Sequence, residues 1–155
     1  MEQIHRETLE EEATHATDEA RMVLPGVQAI LGFQLIAVFN QRFEELSESD
    51  QLLHLVAFFL IALAMGLVMA PAAYHRQVER GCVTRQFVDL TSLFLSVALL
   101  PLLLGVALDA YILVRMVTQS AAAGLWCALA IAAILGLLWF GIPQFLKVSR
   151  RPPEA

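Results

Sequence analysis

The chain has 155 residues, of which 58% are hydrophobic and 16% charged, with a net charge of −5 and a mean hydropathy of +0.66. Soluble domains run about 45–50% apolar and about 25% charged, so this composition points to a membrane protein of a single domain. The negative balance and the lack of a broad basic face argue against nucleic acid as a partner.

Residues 1–21 hold seven acids against two cations and read as an acidic cytoplasmic helix or arm. Thr8 and Glu11 are spaced as a capping box, in which the Thr8 hydroxyl accepts the N3 amide and Glu11 reaches back. Leu9, Ala13, Ala16 and Ala20 recur at helical spacing and give a weakly apolar stripe. The basic residues Arg76, Arg80 and Arg85 are expected on the same side as this arm, where exposed ion pairs contribute about 0–1 kcal/mol each. A cleavable signal peptide is not expected, because this segment is acidic and lacks a basic n-region before an apolar stretch.

Four apolar segments follow. A bilayer core about 30 Å thick needs roughly 20 apolar residues in a helix, and the predicted spans are 22–42, 52–73, 87–108 and 121–146, a transmembrane domain over 22–146. Pro25 is read as the joint between the arm and the first span, because proline breaks a helix interior. That span carries Gln28 and Gln34 and is expected to leave the membrane through Asn40–Phe43. Gln28 and Gln34 point about 120° apart on a helix, whereas Gln34 and Gln41 would share a face.

The loop 40–50 holds four acids, Glu44, Glu45, Glu48 and Asp50, against Arg42 alone. Ser47 with Asp50, or Ser49, is placed to cap the second span. That span carries Ala62, Gly66 and Ala70, and the fourth carries Gly124, Ala128, Ala132 and Gly136. Small residues four apart let helices approach closely in lipid. In the third span Asp89 lies one turn from the cytoplasmic end, as a partner for Arg85 or as a switch carboxylate beside His75 and Arg76. Asp109 and Arg115 lie at its other end and are expected to form a local ion pair. Trp126 and Trp139 suit interfacial anchoring, and Pro143 is expected to end the fourth span. Cys82 and Cys127 lie at different depths, so no disulfide is expected.

Short loops rich in Lys and Arg stay cytoplasmic. Four spans put eight cations on one side (Arg6, Arg21, Arg76, Arg80, Arg85, Lys147, Arg150, Arg151) and two, Arg42 and Arg115, on the other. Both termini are therefore expected in the cytoplasm, including the basic tail 147–155.

Three blocks stand out: Leu24-Pro-Gly-Val-Gln28, Phe39-Asn-Gln-Arg-Phe43 and Ala70-Pro-Ala-Ala-Tyr-His-Arg76. Through these, residues 22–81 resemble the bacterial membrane-protein family catalogued as a domain of unknown function, DUF6328. The last two spans match only as hydrophobic segments. The resemblance implies a small four-span inner-membrane protein and brings no activity with it.

No P-loop, Gly-x-Ser-x-Gly or His-Glu-x-x-His occurs, and His5, His15, His54 and His75 have no metal-type spacing. Neither an enzyme nor a cofactor is expected. An ion-coupled transporter would place a charge near mid-membrane, and none lies there. The sequence therefore predicts an all-α, four-helix membrane bundle that forms a homo-oligomer. Its function is read first as a cation-conducting pore lined by Gln28, Gln34 and Gln41, with Glu44, Glu45, Glu48 and Asp50 at the mouth and inorganic cations as partners. The alternative is a non-conducting scaffold or accessory subunit of a membrane complex.

Overall fold

The computed structural model describes residues 8–78 and 83–149. His5, Arg6, Arg80, Cys82, Arg150, Arg151 and the Arg42 side chain lie outside the described residues. All regular structure among the described residues is helical: α1 Leu9–Val38, α2 Gln41–Glu44, α3 Glu48–Val78, α4 Arg85–Thr118, α5 Ala121–Gly136 and, after a π-helical turn at Leu137–Gly141, α6 Ile142–Ser149. Four stretches are long and apolar enough to cross a bilayer: Leu9–Val38, Glu48–Val78, Arg85–Thr118 and Ala121–Lys147. The protein is an all-α membrane protein with four such helices.

Lipid as the solvent explains which apolar side chains stay outside. Of the most apolar window of each stretch, 11%, 28% and 39% is buried in the first three and none in the fourth. Phe33, Phe59, Leu63 and Trp126 are all exposed. In water such faces would drive aggregation; in hydrocarbon they lose nothing.

The chain divides into two compact units. The first holds Met1–Phe39 and Ile61–Pro101. In it the buried residues of α1 are Ala13, Ala16, Val27 and Gln34, with Thr17, Ala20, Leu24 and Leu31 half-buried between them. This is a three-four stripe along one face of the helix, and it begins with the alanines of the acidic arm. Ala13 joins Phe87 and Val88 in one buried cluster, with Tyr74 and Val83 packed around it.

The second unit holds Asn40–Leu60 and Leu102–Ala155. Here α5 lies against the later part of α4. A Cβ built on Gly124 would stand 2.8 Å from the Tyr111 carbonyl oxygen and 3.3 Å from Arg115 Cβ, and one on Gly136 would stand 3.8 Å from Leu103 Cδ1. The connection between the two helices uses Gln119 in the left-handed region, φ 54°, as a helix C-terminus often requires.

Three expectations need correction. Pro25 is not a joint, because it lies inside an uninterrupted α1. Its exposed position leaves room for the freed carbonyl one turn earlier to be satisfied by solvent or neighbours. The first helix does not run on through Phe43. It ends at Val38, and the Phe43 amide bonds the Asn40 carbonyl at 2.8 Å to open the separate helix α2. Asparagine competes with the backbone for hydrogen bonds and so favours such breaks. Pro143 does not end the fourth helix. The preceding turn is widened so that the Ile142 amide reaches the Leu137 carbonyl. That bulge accommodates a ring that would collide with the carbonyl four residues back in a regular helix.

The Thr8 capping box forms, with Glu11 accepting the Thr8 amide at 2.8 Å and hydroxyl at 3.0 Å. The backbone bond first, and the hydroxyl second, hold the Glu11 carboxyl below its ordinary range. A depressed carboxylate contributes stability above its unfolded pKa and loses it as pH falls through the folded value. Hydrogen-exchange protection factors at residues 9–12 should therefore drop on acidification below about pH 4, and T8A should remove that pH dependence. The glycine contacts give a second expectation. Gly124→Ala should force α5 off α4 and cost about 1–3 kcal/mol, whereas Gly66→Ala should cost nothing, because no atom lies within 4 Å of its Cβ position. Thermal unfolding in detergent compares the two.

Candidate functional site

Charge inside a membrane protein is expensive unless it is paired, so pairs mark where the chain spends its polar groups. In the second unit the start of α3 builds one such group. The Ser47 hydroxyl accepts the Asp50 amide at 3.3 Å and donates to Asp50 Oδ2 at 2.6 Å, which caps the helix. Asp50 Oδ1 accepts from Arg115 Nη1 at 2.6 Å, and the same nitrogen donates to the Tyr111 hydroxyl at 3.1 Å. The Asp50 side chain is 6% exposed and that of Arg115 33%. One turn further along α3, His54 is buried. Its Nδ1 lies 3.8 Å from Asp109 Oδ1, and its ring meets Phe43 edge-on at 5.2 Å. Gln51 Nε2 donates to the Phe43 and Leu46 carbonyls at 3.3 and 3.2 Å, which ties the α2 segment to the same group.

The expected local pair of Asp109 with Arg115 is thus wrong. The two residues lie six apart on α4, off the three-four spacing that brings helical neighbours together, and each finds a partner on α3 instead. A signal for this was present. Asp50 and His54 lie 28 and 24 residues before the end of α3, and Arg115 and Asp109 lie 30 and 24 after the start of α4. An antiparallel hairpin brings such equidistant residues together.

In the first unit Arg85 Nη1 binds Glu12 Oε2 at 2.6 Å, and Arg85 Nε lies 3.4 Å from Asp89 Oδ1. The acidic arm and the basic segment meet here as the charge pattern suggested. Asp89 is exposed and partners Arg85. The His75 ring lies 5.0 Å from Phe87, and its buried Nδ1 has no hydrogen-bond partner among the described residues. Arg76 is exposed beside it.

The polar residues considered for a pore fall into different environments. Gln34 is 4% exposed and lies on the inward stripe of α1. Gln28 and Gln41 are exposed, on α1 and α2 respectively. Because α1 stops at Val38, Gln34 and Gln41 share no helical face, contrary to expectation. Glu44, Glu45 and Glu48 are exposed, but Asp50 is committed to Arg115 and Ser47 and offers no free charge to a mouth. Ala62 and Ala70 are half-buried, Gly66 is exposed, and the buried line on that part of α3 runs through Ile61, Ala64 and Val68 instead. Ala128 and Ala132 are half-buried on α5 between Gly124 and Gly136. Among the described residues no three His, Cys, Asp or Glu side chains gather as a metal would need.

The family of unknown function DUF6328 matches residues 3–143, so its extent takes in all but the end of the last helix as well as the blocks of residues 22–81. The chain belongs to that family. No curated protein and no solved structure matches it.

The Asp50–Arg115 pair carries a direct test. Arg115→Met leaves a buried carboxylate unpaired and should cost about 3–5 kcal/mol. The double variant D50L/R115M should recover most of that loss, because apolar replacement of both partners is close to neutral. Unfolding in increasing sodium dodecyl sulfate, followed by helical circular dichroism, measures both.

Proposed function

We propose that this DUF6328 protein is the subunit of a homo-oligomer in the bacterial inner membrane, with both termini in the cytoplasm, and that the assembly is a non-conducting scaffold joined along α1. The observation that carries this reading is Gln28. It lies within the uncharged stretch 22–39, its side chain is exposed, and it makes no hydrogen bond with another described residue. An amide left bare in hydrocarbon is costly. A primary amide both donates and accepts, so a second copy of the same amide completes it. Gly32, one turn on along the same face, has nothing within 4 Å of its Cβ position, which leaves room for a neighbouring backbone. Interhelical bonds of this kind contribute about 0.6–2 kcal/mol.

The same face supports sealing rather than conduction. A hydrated path needs polar groups along its length. Beyond Gln28, two and three turns on, this face presents Leu35, Ile36 and Phe39, all exposed, while Gln34 points into the chain. A cation-conducting pore is the second reading. It draws on the exposure of Gln28, Gln41, Glu44, Glu45 and Glu48, which would set carboxylates at a mouth for inorganic cations.

Cysteine placed at 28 should cross-link between copies in native membranes, and Gln28→Leu should shift the detergent-solubilised oligomer toward monomer with helical content unchanged. An oligomer that survives Gln28→Leu rejects the seam. Liposomes containing the wild-type protein should pass cations no faster than empty ones; a cation flux lowered by E48Q would instead establish the pore.

A further inference from the structure

Arg115 is held end-on. Only its Nη1 is engaged, by Asp50 and Tyr111, so the Nε–Nη2 edge of the guanidinium has no partner among the described residues. That edge is the one that takes phosphate or carboxylate with two parallel hydrogen bonds. Arg115 lines a cavity of about 590 Å³ in the second unit, within the range of small-ligand sites.

The rest of the wall says which anion fits. The Asp50 charge is already cancelled by Arg115, so the uncompensated charge on the wall is Glu45, a carboxylate. Beside it lies Gln119, whose Nε2 donates to the Met116 carbonyl at 2.9 Å and leaves its Oε1 to accept. Gln119 follows the C-terminal end of α4, where the helix dipole favours positive charge, and Glu45, from the segment after α2, lines the same cavity. With its charge matched by Asp50, Arg115 offers an anion hydrogen-bond donors rather than net charge, and Glu45 repels a simple anion; a group with an anion at one end and an ammonium at the other meets both. Leu46, Ile112 and Met116 add apolar lining and Ser47 a hydroxyl, so charged and apolar groups share one wall, as the headgroup and glycerol region of a lipid would require.

We infer that this cavity binds a phosphoethanolamine group, with the phosphate on the Nε–Nη2 edge of Arg115 and the ammonium on Glu45 and Gln119. Such a group occurs as the headgroup of phosphatidylethanolamine and as a free soluble molecule. The apolar lining of Leu46, Ile112 and Met116 favours the lipid.

The test uses the full-length protein in detergent micelles doped with phosphatidylethanolamine, phosphatidylcholine or phosphatidylglycerol, with bound lipid counted by mass spectrometry. Phosphatidylethanolamine should be retained about tenfold more than either other lipid, since a charge-assisted hydrogen bond is lost in each exchange. Phosphatidylcholine has no N–H to donate, and phosphatidylglycerol has no cation. Met116→Trp fills the cavity and should abolish the preference, while E45Q should bring phosphatidylethanolamine and phosphatidylglycerol to parity. Neither variant touches the Asp50–Arg115 pair, so both should melt like the wild type. Soluble phosphoethanolamine is titrated in parallel by calorimetry. Its binding without any lipid preference, lost in Met116→Trp, would assign the site to the soluble source. Equal retention of all three lipids with no calorimetric signal, or a preference unchanged in Met116→Trp, overturns the inference.

Discussion

The constraint on which this structure depends is that hydrocarbon cannot solvate a charge or an amide, so every polar group placed in a span needs a protein partner or an exit. Asp50 shows the rule at its strictest. Its carboxylate is almost sealed, and both oxygens are taken, one by Ser47 and one by Arg115. Removing two ions from water costs several kcal/mol each. The geometry offsets that cost by letting the same carboxylate hold the capping Ser47 hydroxyl and bridge to α4. The Ser47–Asp50 pair thus links where one helix begins to how its neighbour is registered against it. His54 and Asp109 repeat the pairing one turn along.

The same constraint governs the backbone. Pro25, Pro71 and Pro101 all lie inside helices, which would be severe in water. Nothing in lipid competes for the remaining backbone bonds, so helical structure persists on either side of each ring. At Pro143 the accommodation is visible as the widened turn of Leu137–Gly141. Gly141 belongs to that turn, and a Cβ there would stand 2.9 Å from Leu137 Cδ1.

How much of this was legible in the sequence divides along a physical line. Hydropathy is a sum over neighbours in the chain, so the four spans could be read without knowing any contact. Local hydrogen-bond motifs could be read for the same reason: Thr8 with Glu11 and Ser47 with Asp50 lie within one turn of each other. The partners of Asp109 and Arg115 depend on position in the α3–α4 hairpin rather than on proximity along one helix, which local spacing does not show. The break after Val38 is hidden because Asn40 and Gln41 fit the polar end of one helix as well as the start of a new turn, which asparagine favours. The open edge of Arg115 could not be read from sequence at all, because it depends on which of three nitrogens meets Asp50.

The two glutamines of α1 stand in opposite environments. Gln34 lies on the buried stripe that starts at Ala13, and its buried Oε1 accepts no hydrogen bond from the described residues. Gln28 lies on the outward face, where the surroundings are lipid or another protein. A glutamine contributes nothing to lipid contact that leucine would not supply better, and its helix propensity offers no gain over leucine either. Its presence on that face is intelligible only if something there returns its hydrogen bonds. Water reaching it from a lumen would need polar company along α1, and Leu35, Ile36 and Phe39 withhold it. A second amide needs only itself and the space beside Gly32, which makes self-association the more economical explanation of this face.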